Sequence, residues 1–134
     1  MQQAVPYVAG AIATTLDKVL FITASDRSAD SLAAALRDFV DPQTVAVFPA
    51  WETLPHERLS PSSDTIGARM ALLRRLAHPG QSVPVKFVVT PVRAALQPIV
   101  RGLGHIEPIT VSVGDTFPLE DVIVGLVDLG FERV

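Results

Sequence analysis

The sequence predicts an α/β fold, a parallel sheet flanked by helices, followed by the start of a small α+β domain. Three observations carry this. Short apolar runs rich in β-branched and aromatic residues recur at 18–23, 44–48 and 85–90. Each is nearly continuous instead of alternating, as expected of a strand covered on both faces. Amphipathic helical stretches separate them, and parallel neighbours need such crossovers to be joined.

Taken in order, MQQAVPYVAGAIATTL opens the chain. It lacks the positive n-region of a signal peptide, and Asp17-Lys18 end it short of a membrane span. It is expected to be a buried helix, with Pro6 in the first turn where its missing N–H costs nothing. Lys18 to Thr23 is the first strand. Ser28 to Phe39 is a helix with Ser28 as N-cap and Leu32, Leu36 and Phe39 on one stripe. Thr44 to Phe48 is the second strand, ended by Pro49. Asp64 to Ala77 is a helix carrying Ile66, Met70, Leu73 and Ala77, with Ser63 or Asp64 as cap. Val85 to Thr90 is the third strand, ended by Pro91. Gly102-Leu103-Gly104-His105 marks a boundary. Beyond it, Pro108 to Val113 is a candidate strand and Gly114-Asp115 a turn. Leu119, Val122, Ile123, Leu126 and Val127 form a helical stripe, with Gly130 in place for a C-terminal cap. Phe131 to Val134 start a continuation, so the second unit is expected to be incomplete.

The chemistry is mostly one of exclusions. The 134 residues carry a net charge of −3 and no cysteine. Disulfides, thiolate catalysis and Cys-based metal sites are excluded, and nothing advertises a general phosphate-binding surface. A nucleotide-binding strand–helix turn needs glycines, for close backbone approach, and a lysine. After the first strand the chain instead reads Ala24-Ser25-Asp26-Arg27, and no GxxxxGK[ST] occurs anywhere. His56, His78 and His105 are scattered and read as surface histidines without metal-ligand spacing. Ser60, Ser62 and Ser63 lack a nucleophile elbow. Arg69, Arg74 and Arg75 either compensate the dipole of their helix or offer a basic face to a phosphate or an acidic partner.

The informative stretch is the long loop from Phe48 to Pro61, too broken by proline for a helix and too long for an ordinary connection. It holds the sole tryptophan. Trp51, Leu54 and Leu59 are expected to anchor it to the domain. A long anchored loop on an α/β scaffold is a usual place for function.

Within and after this loop, Trp51-Glu52-Thr53-Leu54-Pro55, Ser60-Pro61, Asp64-Thr65-Ile66 and Arg69 resemble the N-terminal region of bacterial transcription-repair coupling factors. The run from Phe87 to Gln97 looks like the next strand and helix of that region and, more loosely, of UvrB. The segment from Gly114-Asp115 to Gly130-Phe131-Glu132-Arg133-Val134 resembles the start of the family's second domain. The resemblance implies a UvrB domain 1a-like fold, a degenerate relative of the P-loop NTPase type, over 1–104. It implies the beginning of a UvrA-binding domain over 105–134. It further implies a non-catalytic, cytoplasmic module that helps recruit UvrA to RNA polymerase stalled at DNA damage, with no membrane association. Polymerase and DNA would be engaged by other domains, and ATP and Mg would be bound only by distant motor domains, leaving this region without a cofactor. Arg133 matches the family's Gly-aromatic-Arg stretch, with a slight departure in register, and is the partner-binding candidate. The alternative is a truncated part of a working UvrB- or helicase-type ATPase domain whose P-loop lies upstream of residue 1. An unrelated small α/β enzyme using the proline-rich loop as a lid is a third reading.

Overall fold

The computed structural model describes residues 4, 7–8, 11, 16–53 and 61–128. The chain divides into two compact units, Met1–Gly104 and His105–Val134.

The first unit is built on β1 (Val19–Thr23), α1 (Asp26–Arg37), β2 (Val45–Val47), α2 (Ser63–Ala77), β3 (Phe87–Pro91) and the short α3 (Val92–Leu96). The strands form one parallel sheet in the order β1-β3-β2. Val19 pairs with Phe87 and Thr23 with Pro91 on one side of β3, and Val45 pairs with Phe87 on the other. The chain therefore skips a place on leaving β1 and returns to fill it. With right-handed crossovers, an outward and a return step put their helices on opposite faces of a sheet. The two cores match that geometry. On one face Ala29, Ala33 and Leu36 of α1, all fully buried, pack with Val45, Phe87 and Val89. On the other, Leu72 of α2 packs with Ala46, Phe48, Val85 and Ala94, with Val88 against them. The alanines of α1 let its backbone lie close to the sheet. Each large buried side chain such as Phe87 or Leu36 contributes about 1.5–3 kcal/mol.

The parallel α/β architecture is the one expected, and β2 and β3 are covered on both faces, Val45 facing one core and Ala46 the other, whereas β1 is not. β1 is an edge strand whose Leu20 and Ile22 are 60% and 57% exposed, because α2 lies over β2 and β3. The caps also differ from expectation. Ser25 caps α1, its Oγ accepting from the N–H of Ser28, and Ser62 caps α2 by accepting from the N–H of Thr65. In each case the helix starts earlier than the apolar periodicity that announces it. Phe39 falls beyond the end of α1 and is half exposed. On α2 the buried positions are Arg69 and Leu72, while Ile66 lies exposed. The inward face is thus rotated from the expected stripe. Tyr7 and Val8 are helical but exposed, against the expectation of burial, and the ring of Tyr7 rests 4.7 Å from that of Phe39.

The second unit holds α4 (Leu119–Asp128). Pro108 to Val113 is not a strand, as no ladder forms there among the described residues. The turn after it is present. Gly114 has φ +100°, and the Asp115 carboxylate accepts from the N–H of Ser112 at 2.9 Å. The left-handed backbone there is why glycine stands at 114. On α4, Val122 and Ile123 are half-buried, whereas Leu119 and Val127 are exposed. Gly130 and Phe131 to Val134 lie outside the described residues.

Candidate functional site

In a parallel α/β sheet, ligands are usually held beyond the carboxyl ends of the strands. Two features of this chain meet there, the turn after β1 and the loop after β2. The turn is closed on itself. Thr23 Oγ1 donates to the carbonyl of Ser25 at 3.0 Å, and Ser25 Oγ lies 2.9 Å from Ser28 Oγ while accepting from the Ser28 N–H. Asp26 stands in the first turn of α1. The N–H groups that would face a phosphate are thus met in part by the chain's own hydroxyl, with a carboxylate in the same turn. No glycine lets the backbone come closer.

The loop is organised around Arg69, only 3% exposed despite its charge. Its guanidinium carbon lies 4.1 Å from the ring centroid of Phe48 and 4.1 Å from that of Trp51, so the cation is stacked between two aromatic faces. Nη1 donates to the carbonyl of Pro49 at 2.7 Å and to Gln97 Oε1 at 3.3 Å. Burial lowers the pKa of Arg69 from its ordinary value by disfavouring the charged form, although a guanidinium keeps its proton in proteins. Stacking on ring faces and a planar fork of donors are the properties that separate arginine from lysine at such a position.

The same Gln97 Oε1 accepts from the backbone N–H of Trp51 at 2.9 Å. Arg93, on α3, donates to the carbonyls of Trp51 and Glu52 at 2.6 and 3.1 Å. Glu52 then reaches the far end of the loop. Its carboxylate accepts from Ser62 Oγ at 2.7 Å, from the Ser62 N–H at 3.4 Å and from Thr65 Oγ1. These hydrogen bonds, that from the Ser62 hydroxyl foremost, lower the Glu52 pKa to about 2. Anchorage through Arg69, Gln97, Arg93 and Glu52 makes the start and end of the loop a single rigid point. Below it, the Thr90 hydroxyl donates to the carbonyl of Phe48 at 3.0 Å and ties the loop's first residue to the central strand.

Of the signature residues, Trp51, Glu52 and Arg69 are brought together, and Pro61 and Asp64 flank the Ser62 cap. Leu54, Pro55 and Ser60 lie outside the described residues, as do His56, Leu59 and Arg133. The three arginines of α2 do not form one basic face. Arg69 is buried, Arg75 donates to the carbonyls of Gln43 and Val83, and Arg74 reaches Gln81 Oε1 at 3.4 Å. His78 is half-buried at the end of α2, where its N–H meets the carbonyl of Arg74, instead of standing on the surface. Gln97 and Arg93, which share with Arg69 and Glu52 in holding the loop, fall in the family-like run from Phe87 to Gln97, but nothing within that run singles them out as site residues. A further signal is their place after a strand ending in Pro91, where α3 starts beside the loop.

Among the described residues no three His, Asp or Glu side chains gather as metal ligands. No helix among them is long and apolar enough to cross a membrane. No family model matches the chain. The chain is 51% identical over 119 residues, 87% of its length, to the transcription-repair-coupling factor of Mycobacterium bovis, and equally to that of Mycobacterium tuberculosis. It spans 10% of the length of each of these relatives. By that identity, running through nearly the whole chain, it belongs to the transcription-repair-coupling factor family as the counterpart of one region of those proteins.

Proposed function

We propose that the chain acts in transcription-coupled DNA repair as a non-catalytic module, helping to bring UvrA to RNA polymerase stalled at DNA damage. The name its relatives carry speaks for the coupling of transcription to repair. The self-capped turn after β1 carries the non-catalytic part. It lacks glycine, sets Asp26 in the first turn of α1, and occupies the Ser28 N–H with the Ser25 hydroxyl. A phosphate there would face a carboxylate at short range and find little free backbone. In this reading the loop–α2 clamp is scaffold, the second unit begins the UvrA-facing surface with Arg133 as its candidate contact, and polymerase and DNA belong to other domains. ATP and Mg belong to distant motor domains, and the setting is cytoplasmic.

Two measurements test this. Purified chain mixed with Mg-ATP is expected to show no turnover above buffer; hydrolysis that follows the protein through purification would overturn the non-catalytic reading. The full-length protein is expected to capture UvrA from purified components. Arg133→Ala is expected to weaken capture at least about tenfold, as truncating a charged side chain at an interface commonly does. Undiminished capture by that variant would remove Arg133 from the surface, and no capture by the parent protein would sink the recruiting reading.

A further inference from the structure

The clamp has a second output besides the loop. Gln97 is the C-cap of α3, its N–H bonded to the carbonyl of Ala94, and it stands immediately before an exposed connecting segment. Within that segment Ile99 and Val100 are 48% and 72% exposed, and Gly102 turns at φ +89°. The segment is fixed again at Gly104. A Cβ there would lie 2.6 Å from the carbonyl oxygen of Leu73 and 3.1 Å from the Cβ of Ala77, so the backbone rests directly on α2. Both ends are thus keyed to one helix. Gln97 is held through Arg69, and Gly104 sits against Leu73 and Ala77.

We propose that residues 98–104 form a strap whose closure is governed by the signature loop. The Gln97 side chain carries the coupling, because the amide oxygen that accepts from Trp51 and Arg69 stands at the strap's first hinge. Whatever draws Trp51 off Arg69 also takes the Trp51 N–H from Gln97, and the strap's first hinge is left with the longer bond from Arg69 alone. Between the two anchors the strap holds to itself only at its far end, by the turn bond from the Leu103 N–H to the carbonyl of Val100, at 3.4 Å, and the single 3-10 turn Leu103–His105. Its opening therefore depends on the anchors. The chain enters the second unit at His105, so the state of a loop some 50 residues earlier in sequence sets the freedom of that unit's leading segment. The strap operates in this way whichever partner the second unit takes.

Limited trypsin digestion of the 134-residue chain, with products assigned by mass, reads the strap through cleavage after Arg101. Cleavage after Arg37, at the end of α1, reads opening of the whole first unit. Where opening is fast relative to cutting, the rate follows the open population. Gln97→Ala is expected to raise cleavage after Arg101 about fivefold, the worth of about one net hydrogen bond, with cleavage after Arg37 unchanged. Gln97→Glu keeps the acceptor and is expected to restore the wild-type rate. Trp51→Ala is expected to act in the same direction as Gln97→Ala, which a purely local role for Gln97 would not produce. An unchanged rate after Arg101 in Gln97→Ala, a failure of Gln97→Glu to restore it, or a parallel rise after Arg37 would each overturn the proposal.

Discussion

At the scale of single residues, Arg69 decides how the loop is held. An arginine on a helix is expected in solvent, and the basic cluster with Arg74 and Arg75 strengthens that expectation. The cation is buried instead because two rings and two neutral oxygens replace its water. No periodicity could show this, since an inward arginine counts as polar and pushes the apparent apolar stripe of α2 onto Ile66. Arg69→Lys keeps the charge but loses the planar stack and the fork. It is expected to destabilise the first unit by about 1–3 kcal/mol, measured as a shift in the urea midpoint with unchanged slope. A variant as stable as wild type would show that the stack is incidental.

At the scale of elements, Glu52 joins the first turn of the loop to the N-terminus of α2. The sign of its pH dependence follows from its pKa, lowered from 4.5 to about 2. A carboxylate whose folded pKa lies below its unfolded value stabilises the fold above about pH 4.5 and loses that contribution as the pH falls towards 2. Wild type is therefore expected to exceed Glu52→Ala in thermal midpoint at pH 7. The gap should narrow as the pH is taken from 4.5 to 2. A gap that stays constant over that window would mean that the charge is not what joins the two elements. The carboxylate is solvent-exposed, so added salt should also reduce the gap. The sequence shows this junction in part. Trp51 and Glu52 stand out in a proline-rich loop, but Ser62 as cap is concealed among Ser60, Ser62, Ser63 and Asp64, any of which has the chemistry to start a helix. Likewise Ser28 resembles a cap because the apolar stripe of α1 begins after it, whereas Ser25 closes the turn after β1.

At the scale of the molecule, the strands and the alternation that makes them parallel are readable because continuous apolar runs of β-branched residues have few other uses. The bare face of β1 is not readable, since Leu20 and Ile22 look the same whether or not a helix covers them. Nor is the irregular path of Pro108 to Val113, whose composition suits a strand but which finds no ladder among the described residues. The two units differ in how much they bury. Phe87 and Val89 of β3 are almost wholly enclosed, while Leu119, Val124 and Val127 of α4 are more than half exposed. Backbone amides of α4 are therefore expected to exchange with solvent on the order of 100-fold faster than those of β3, as hydrogen–deuterium exchange read by mass spectrometry would show. Equal protection would mean that the units open together.

The strand order has a consequence for how the chain comes into being. Among the described residues β1 and β2 are not paired with each other; each pairs only with β3, the last of the three to be synthesised. On a ribosome none of the pairings among these three strands can form until Phe87 to Pro91 have left the exit tunnel. Until then Leu20, Ile22 and Val45 to Val47 are held apart by nothing but chain entropy and their own helices. Assembly of the sheet is thus a single late event, closed from the middle by its youngest strand.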